Sequence, residues 1–153
     1  MSNDGGSEKG RRDRELMELL NEIRVALPGV QVLFAFLLTV PFTQAFGDLS
    51  QLHRKVFFAG FLAAAGATAF LIAPTAYHRI RFREGDKEQM LRIANVLAII
   101  GTVFLAIAIN CVVFLITDIL FGGFVTVLVT VVTAGLFFVL WYGIPGFRHL
   151  RDK

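Results

Sequence analysis

The sequence predicts an all-α membrane protein: four transmembrane helices in an antiparallel bundle, preceded by an amino-terminal amphipathic helix. Three observations predict it. The chain is 56% hydrophobic with a mean hydropathy of +0.66 and only 18% charged residues, whereas soluble domains carry about 25% charge. Its charges leave four uncharged runs, near residues 28–46, 56–77, 93–117 and 120–142, each close to the ~20 residues that a bilayer core requires. The basic residues are also lopsided between the connections. Thirteen fall in the amino-terminal segment, the second connection and the tail, and only Arg54 and Lys55 fall elsewhere. Basic residues collect on the cytoplasmic side, so both termini are expected there, with the chain in the inner (cytoplasmic) membrane.

Residues 1–10 are polar and Gly/Ser-rich and are expected to be a disordered tail. Residues 11–27 place Leu16, Leu19, Leu20, Ile23 and Leu27 on one helical face, with Arg12, Glu15, Glu18 and Glu22 mostly off it. This segment is too charged to span, so an interfacial or cytoplasmic amphipathic helix is expected. Pro28 and Gly29 then predict a bend into the first span, because proline removes a helix hydrogen bond. The transmembrane domain covers 28–146, and 147–153 form a cytoplasmic tail. Each span carries a row of small or hydroxyl residues four apart, such as Gly60, Ala64 and Thr68, or Ala94, Ala98, Thr102 and Ala106. Such rows let helix backbones approach closely in lipid. A tight bundle that associates with further copies of the chain is therefore expected.

Polar residues within the spans are few. Thr39, Thr68, Thr102 and Thr130 fall near mid-span, with Asn110 on the third span and Asp118 at its outer end. Each hydroxyl can bond a carbonyl of its own helix or a neighbouring helix. The sharper alternative is a polar seam for an ion or water, with Asp118 as an outer cation or proton site. His78 is either an interfacial anchor or a proton site. His53 and His149 are expected at exposed connections. Tyr77, Trp141 and Tyr142 suit an inner aromatic belt, and Arg79, Arg81 and Arg83 suit the adjoining headgroups. Those basic residues can also hold anionic lipid at the cytoplasmic face.

The sequence holds no HExxH, no Gly-rich phosphate loop and no Ser/His/Asp set, so neither an enzyme nor a cofactor is expected. The lone Cys111 excludes an intrachain disulfide and reads as a small apolar filler. The basic clusters are accounted for by topology, and no nucleic-acid partner is expected.

Residues Arg14 to Phe34 (RELMELLNEIRVALPGVQVLF) and Ile72 to Arg79 (IAPTAYHR) carry a family resemblance. Over residues 11–150 the chain resembles the small four-helix membrane proteins of actinobacteria grouped as a domain of unknown function. The resemblance implies the same four-span topology. Some such proteins are labelled automatically as sodium:proton antiporters, which normally use a buried carboxylate. No catalytic or binding residue comes with the resemblance. The expected role is therefore that of a compact membrane bundle with a structural, partner-binding or lipid-binding role; the alternative is a small cation or proton transporter.

Overall fold

The computed structural model describes residues 4–81 and 87–143, with side chains at 10–11, 14–76 and 89–143. Helix α1 (Asp4–Thr39) passes into a 3-10 turn (Val40–Phe42) and the short α2 (Gln44–Gly47). Helices α3 (Gln51–Arg81), α4 (Lys87–Leu120) and α5 (Gly123–Phe138) follow, and a π-helical turn (Val139–Gly143) extends α5. Four stretches are long and apolar enough to cross a membrane: Arg14–Phe42, Gln51–Ala76, Gln89–Leu120 and Gly123–Gly143. At 1.5 Å per residue, the 36 residues of α1 extend about 54 Å, well beyond a ~30 Å hydrocarbon core.

The chain divides into two compact units. The first joins Met1–Pro41 to Ala63–Leu105, and so brings together α1, the second half of α3 and the first half of α4. Its core is Ile23, Val30, Ala67 and Leu71, with Leu19, Leu27, Ala98, Phe104 and Leu105 packed against it. Here Gly101 meets Leu71 so closely that a Cβ on the glycine would sit 2.7 Å from Leu71 Cγ, and one on Gly66 would sit 2.9 Å from the Phe104 ring. Phe104 also stacks on Phe70, with ring centres 5.4 Å apart. The second unit joins Phe42–Leu62 to Ala106–Lys153. Within it a Cβ on Gly60 would fall 2.8 Å from Cys111 Cβ. Phe46 packs edge-on to Phe57 at 5.2 Å.

Burial along the long helices follows a seven-residue repeat. On α1 the buried residues are Leu16, Ile23, Val30 and Leu37. On α4, Ala94, Gly101, Ala108 and Leu115 are buried at the same interval. On α3, Phe57, Gly60, Ala64, Ala67, Leu71 and Pro74 are buried at alternating steps of three and four. A 3.5-residue period keeps one stripe facing its partners along a left-handed supercoil. Steps of three and four sum to the same seven-residue repeat, so these α3 residues form one broad seam, which the buried Ala63 widens.

Two local features bear on the sequence reading. The helix α1 continues through Pro28 and Gly29, the point at which a bend into the first span was expected. Both residues are exposed, as is Arg24, whose carbonyl loses its donor to the proline. The missing bond thus lies off the packed stripe, and the stripe holds the helix together across it. Helix α1 also begins at Asp4, inside the segment expected to be a polar tail. Extending a helix that packing has already nucleated adds a hydrogen bond per residue without a new nucleation cost.

The turn from α4 to α5 requires glycine. Gly122 and Gly123 have φ of 65° and 58°, a region that costs other residues roughly 1–2 kcal/mol. The amides of Phe121 and Gly122 both donate to the Thr117 carbonyl, at 2.9 and 3.3 Å, and so close the end of α4.

The close approaches predict that Gly60→Val and Gly101→Val each lower the stability of the detergent-purified protein by about 1–3 kcal/mol. Gly135→Ala, with nothing within 4 Å of the new methyl group, should leave it within about 0.5 kcal/mol. Thermal unfolding followed by circular dichroism distinguishes the two classes.

Candidate functional site

The one cluster of polar side chains joining separate helices among the described contacts lies in the second unit. Its first member is set by a helix cap. Ser50 precedes α3, and its Oγ accepts the backbone N–H of His53 at 3.2 Å, the bond of an N-cap serine to the third helical residue. This fixes His53 in the first turn of α3. Its Nε2 lies 2.8 Å from Asp118 Oδ2, in the last turn of α4. The other carboxylate oxygen, Oδ1, accepts from Thr126 Oγ1 on α5 at 3.0 Å. Thr126 is 2% exposed and is the buried residue of α5. The His53 and Asp118 side chains keep 17% and 27% of their surface. Three helices are thus tied through one carboxylate.

The electrostatics of the helix ends favour this arrangement. A negative group is poorly placed at the carboxy-terminal end of α4. The start of α5 and the His53 ring offset that cost, because helix amino termini are partially positive. Arg54 is committed elsewhere: its Nη2 donates to the Gly47 carbonyl at 2.7 Å, and its guanidinium lies 6.0 Å from the centre of the Phe46 ring.

The other candidate residues are distributed as follows. The hydroxyls of Thr39, Thr68 and Thr102 donate to the carbonyls of Phe36, Ala64 and Ile99 at 2.7, 2.9 and 2.8 Å. These are bonds within each threonine's own helix. In the second unit, Asn110 Oδ1 and Thr130 Oγ1 are buried without a hydrogen-bond partner. Asn110 is eight residues before Asp118 on α4, and Thr130 is four after Thr126 on α5, spacings that return to the same helix face. Trp141 is half-buried against Phe137, with ring centres 4.9 Å apart, and Tyr142 is also half-buried. The side chains of Tyr77, His78, Arg79 and Arg81 lie outside the described residues, as do Arg83 and His149 entirely. Among the described residues, no group of three or more His, Cys, Asp or Glu side chains is placed to hold a metal ion.

His53 is the residue that sequence reasoning missed: it is engaged by Asp118 and is not a free residue of a connection. The signal was positional. His53 is the third residue of α3 and Asp118 the third from the end of α4, so the contact joins the start of one helix to the end of the next.

The profile of a family described as a family of unknown function (DUF6328) matches residues 5–145, and the chain belongs to that family. No curated protein and no solved structure matches the chain.

The cluster predicts a coupling between its members. In a double-mutant cycle of His53→Gln and Asp118→Asn, chemical unfolding in detergent should show the two substitutions to be non-additive, each costing less when the other partner is already replaced. Strict additivity would show that the contact contributes nothing.

Proposed function

We propose that this member of the DUF6328 family is a multi-pass protein of the cytoplasmic membrane, without enzymatic activity, that carries a rigid charged helix from the bilayer to a partner or lipid surface. One observation carries the reading. The buried stripe Leu16, Ile23, Val30, Leu37 runs unbroken from the charged part of α1 into its apolar part. This continuity supports reading the charged segment as the end of a packed helix rather than as a separate appendage. Its outward side presents Arg11, Arg14, Glu15, Glu18, Glu22 and Arg24, all exposed. Insertion in a bilayer is supported by the large apolar residues left exposed on α5, among them Phe124, Val127, Val131, Val132 and Phe138.

An antiparallel order of α3 and α4 is supported by their contacts. In the first unit, moving along α3 from Gly66 to Leu71 moves the partner back along α4 from Phe104 to Gly101. In the second, moving from His53 to Gly60 moves it back from Asp118 to Cys111. Cytoplasmic termini are supported by the distribution of basic residues. Association with further copies is supported by the small-residue faces. The threonine bonds within single helices favour a packing role for these hydroxyls over an ion path.

A second reading, a small cation or proton transporter, is favoured by the Asp118 cluster and by the unpartnered Asn110 and Thr130 oxygens in the same unit.

Two measurements separate the readings. In proteoliposomes, single cysteines at Glu15, Glu18 and Glu22 in a Cys111→Ser chain should react with a membrane-impermeant maleimide from the cytoplasmic side, and anionic lipid or a bound partner should slow that reaction. Uniform protection in neutral lipid would contradict an outward-facing charged helix. Sodium- or proton-gradient-driven flux that is lost in Asp118→Asn would favour transport, and no flux across a panel of gradients would sink that second reading.

A further inference from the structure

Among the described residues, the charged partner of the His53 imidazole is the Asp118 carboxylate, 2.8 Å away. On α3 the adjoining charges are Arg54, held by Gly47 and Phe46, and Lys55, which is exposed. Ahead of α3 is Asp48, also exposed, and α4 brings Asp118 itself. Helix α5 carries no charged residue between Gly123 and Phe138. The pair stands in the first turn of α3 and the last turn of α4 and keeps part of its surface, which leaves it a route for proton exchange.

We infer that His53 and Asp118 form a proton-binding site, and that the bound proton tightens the attachment of the first turn of α5 to α3 and α4. The chemistry follows from the geometry. With both ring nitrogens protonated, Nε2–H donates to Oδ2 as one side of an ion pair. Without the second proton, a neutral ring still donates from Nε2 to the carboxylate in one tautomer, but the attraction between opposite charges is gone, and the other tautomer leaves Nε2 without a proton to donate. Thr126 donates to the other oxygen of the same carboxylate, so the ring and α5 share one anchor. Imidazole is the side chain that exchanges its proton near neutral pH. Acidification from alkaline to mildly acidic pH therefore tightens the cluster. Protonation of the carboxylate at still lower pH releases both donors' charge-assisted bonds. This site is independent of any transport role, since it requires only that a proton bind and leave from one side.

Hydrogen exchange of the full chain in detergent tests the inference. After correction for the intrinsic pH dependence of exchange, amides 118–126 of the wild type should become roughly fivefold better protected from pH 8.5 to pH 6. His53→Gln places an amide N–H near the Nε2 position and binds no proton, so its corrected protection should be flat over that range. Thr126→Val should lower protection at the start of α5 at every pH while leaving the pH slope of amides 51–55. That variant carries the test alone if the glutamine chain does not fold. A flat wild-type profile, the same slope in His53→Gln, or the loss of the 51–55 slope in Thr126→Val would overturn the proposal.

Discussion

The constraint on which this structure rests is the close approach of long helices along stripes that recur every seven residues. Gly60, Gly66 and Gly101 stand where any side chain would collide with Cys111, Phe104 and Leu71. In lipid there is no hydrophobic drive between helices, so association depends on dispersion contacts and backbone proximity. Small residues at these positions supply both. Ala64 and Ala67, fully buried on α3, continue the same stripe between the glycines and Leu71.

The same constraint explains why local signals yield to packing. Taken alone, Pro28 and Gly29 mark a bend, and charged residues 11–27 mark a separate surface helix. The stripe Leu16, Ile23, Val30, Leu37 passes both. The proline falls on the exposed side, where the carbonyl it deprives of a partner stays accessible. A helix break there would separate two halves of a contact surface, and that loss outweighs one missing hydrogen bond.

Much of the architecture was legible in the sequence. Long uncharged runs mark four apolar helices, because a bilayer core would require about 20 predominantly apolar residues and each run supplies them. The small-residue rows were legible in part. On α3 the expected pairs Gly60 with Ala64 and Ala63 with Ala67 are buried, whereas on α4 the row Ala94, Ala98, Thr102 and Ala106 is buried only at Ala94, and Gly101, Ala108 and Leu115 continue the buried line from it. A four-residue row drifts around a straight helix, and only the seven-residue repeat stays on a supercoiled seam. The site was half legible. Asp118 stood out as a carboxylate beside an apolar run, and its candidate role followed from that. His53 and Thr126 acquire meaning only from the level at which α3 and α5 meet the end of α4, which depends on helix limits that single-residue patterns define poorly. The threonines were legible in the same way: a bond to a carbonyl of the same helix was an expected use of each hydroxyl, and Thr39, Thr68 and Thr102 make such bonds.

The central claim is that the charged and apolar parts of α1 are one continuous helix held by a single stripe. Spin labels at the exposed positions Arg14 and Leu38, in a Cys111→Ser chain reconstituted in lipid, test it by pulsed electron–electron distance measurement. A continuous α-helix separates these positions by about 36 Å along its axis, and the account predicts a narrow distribution near that value. A bend at Pro28 that lays the charged segment on the membrane surface would bring them to roughly 26 Å, taking the two arms at right angles and 1.5 Å per residue. A distribution centred there, or a broad one reaching it, would contradict the account.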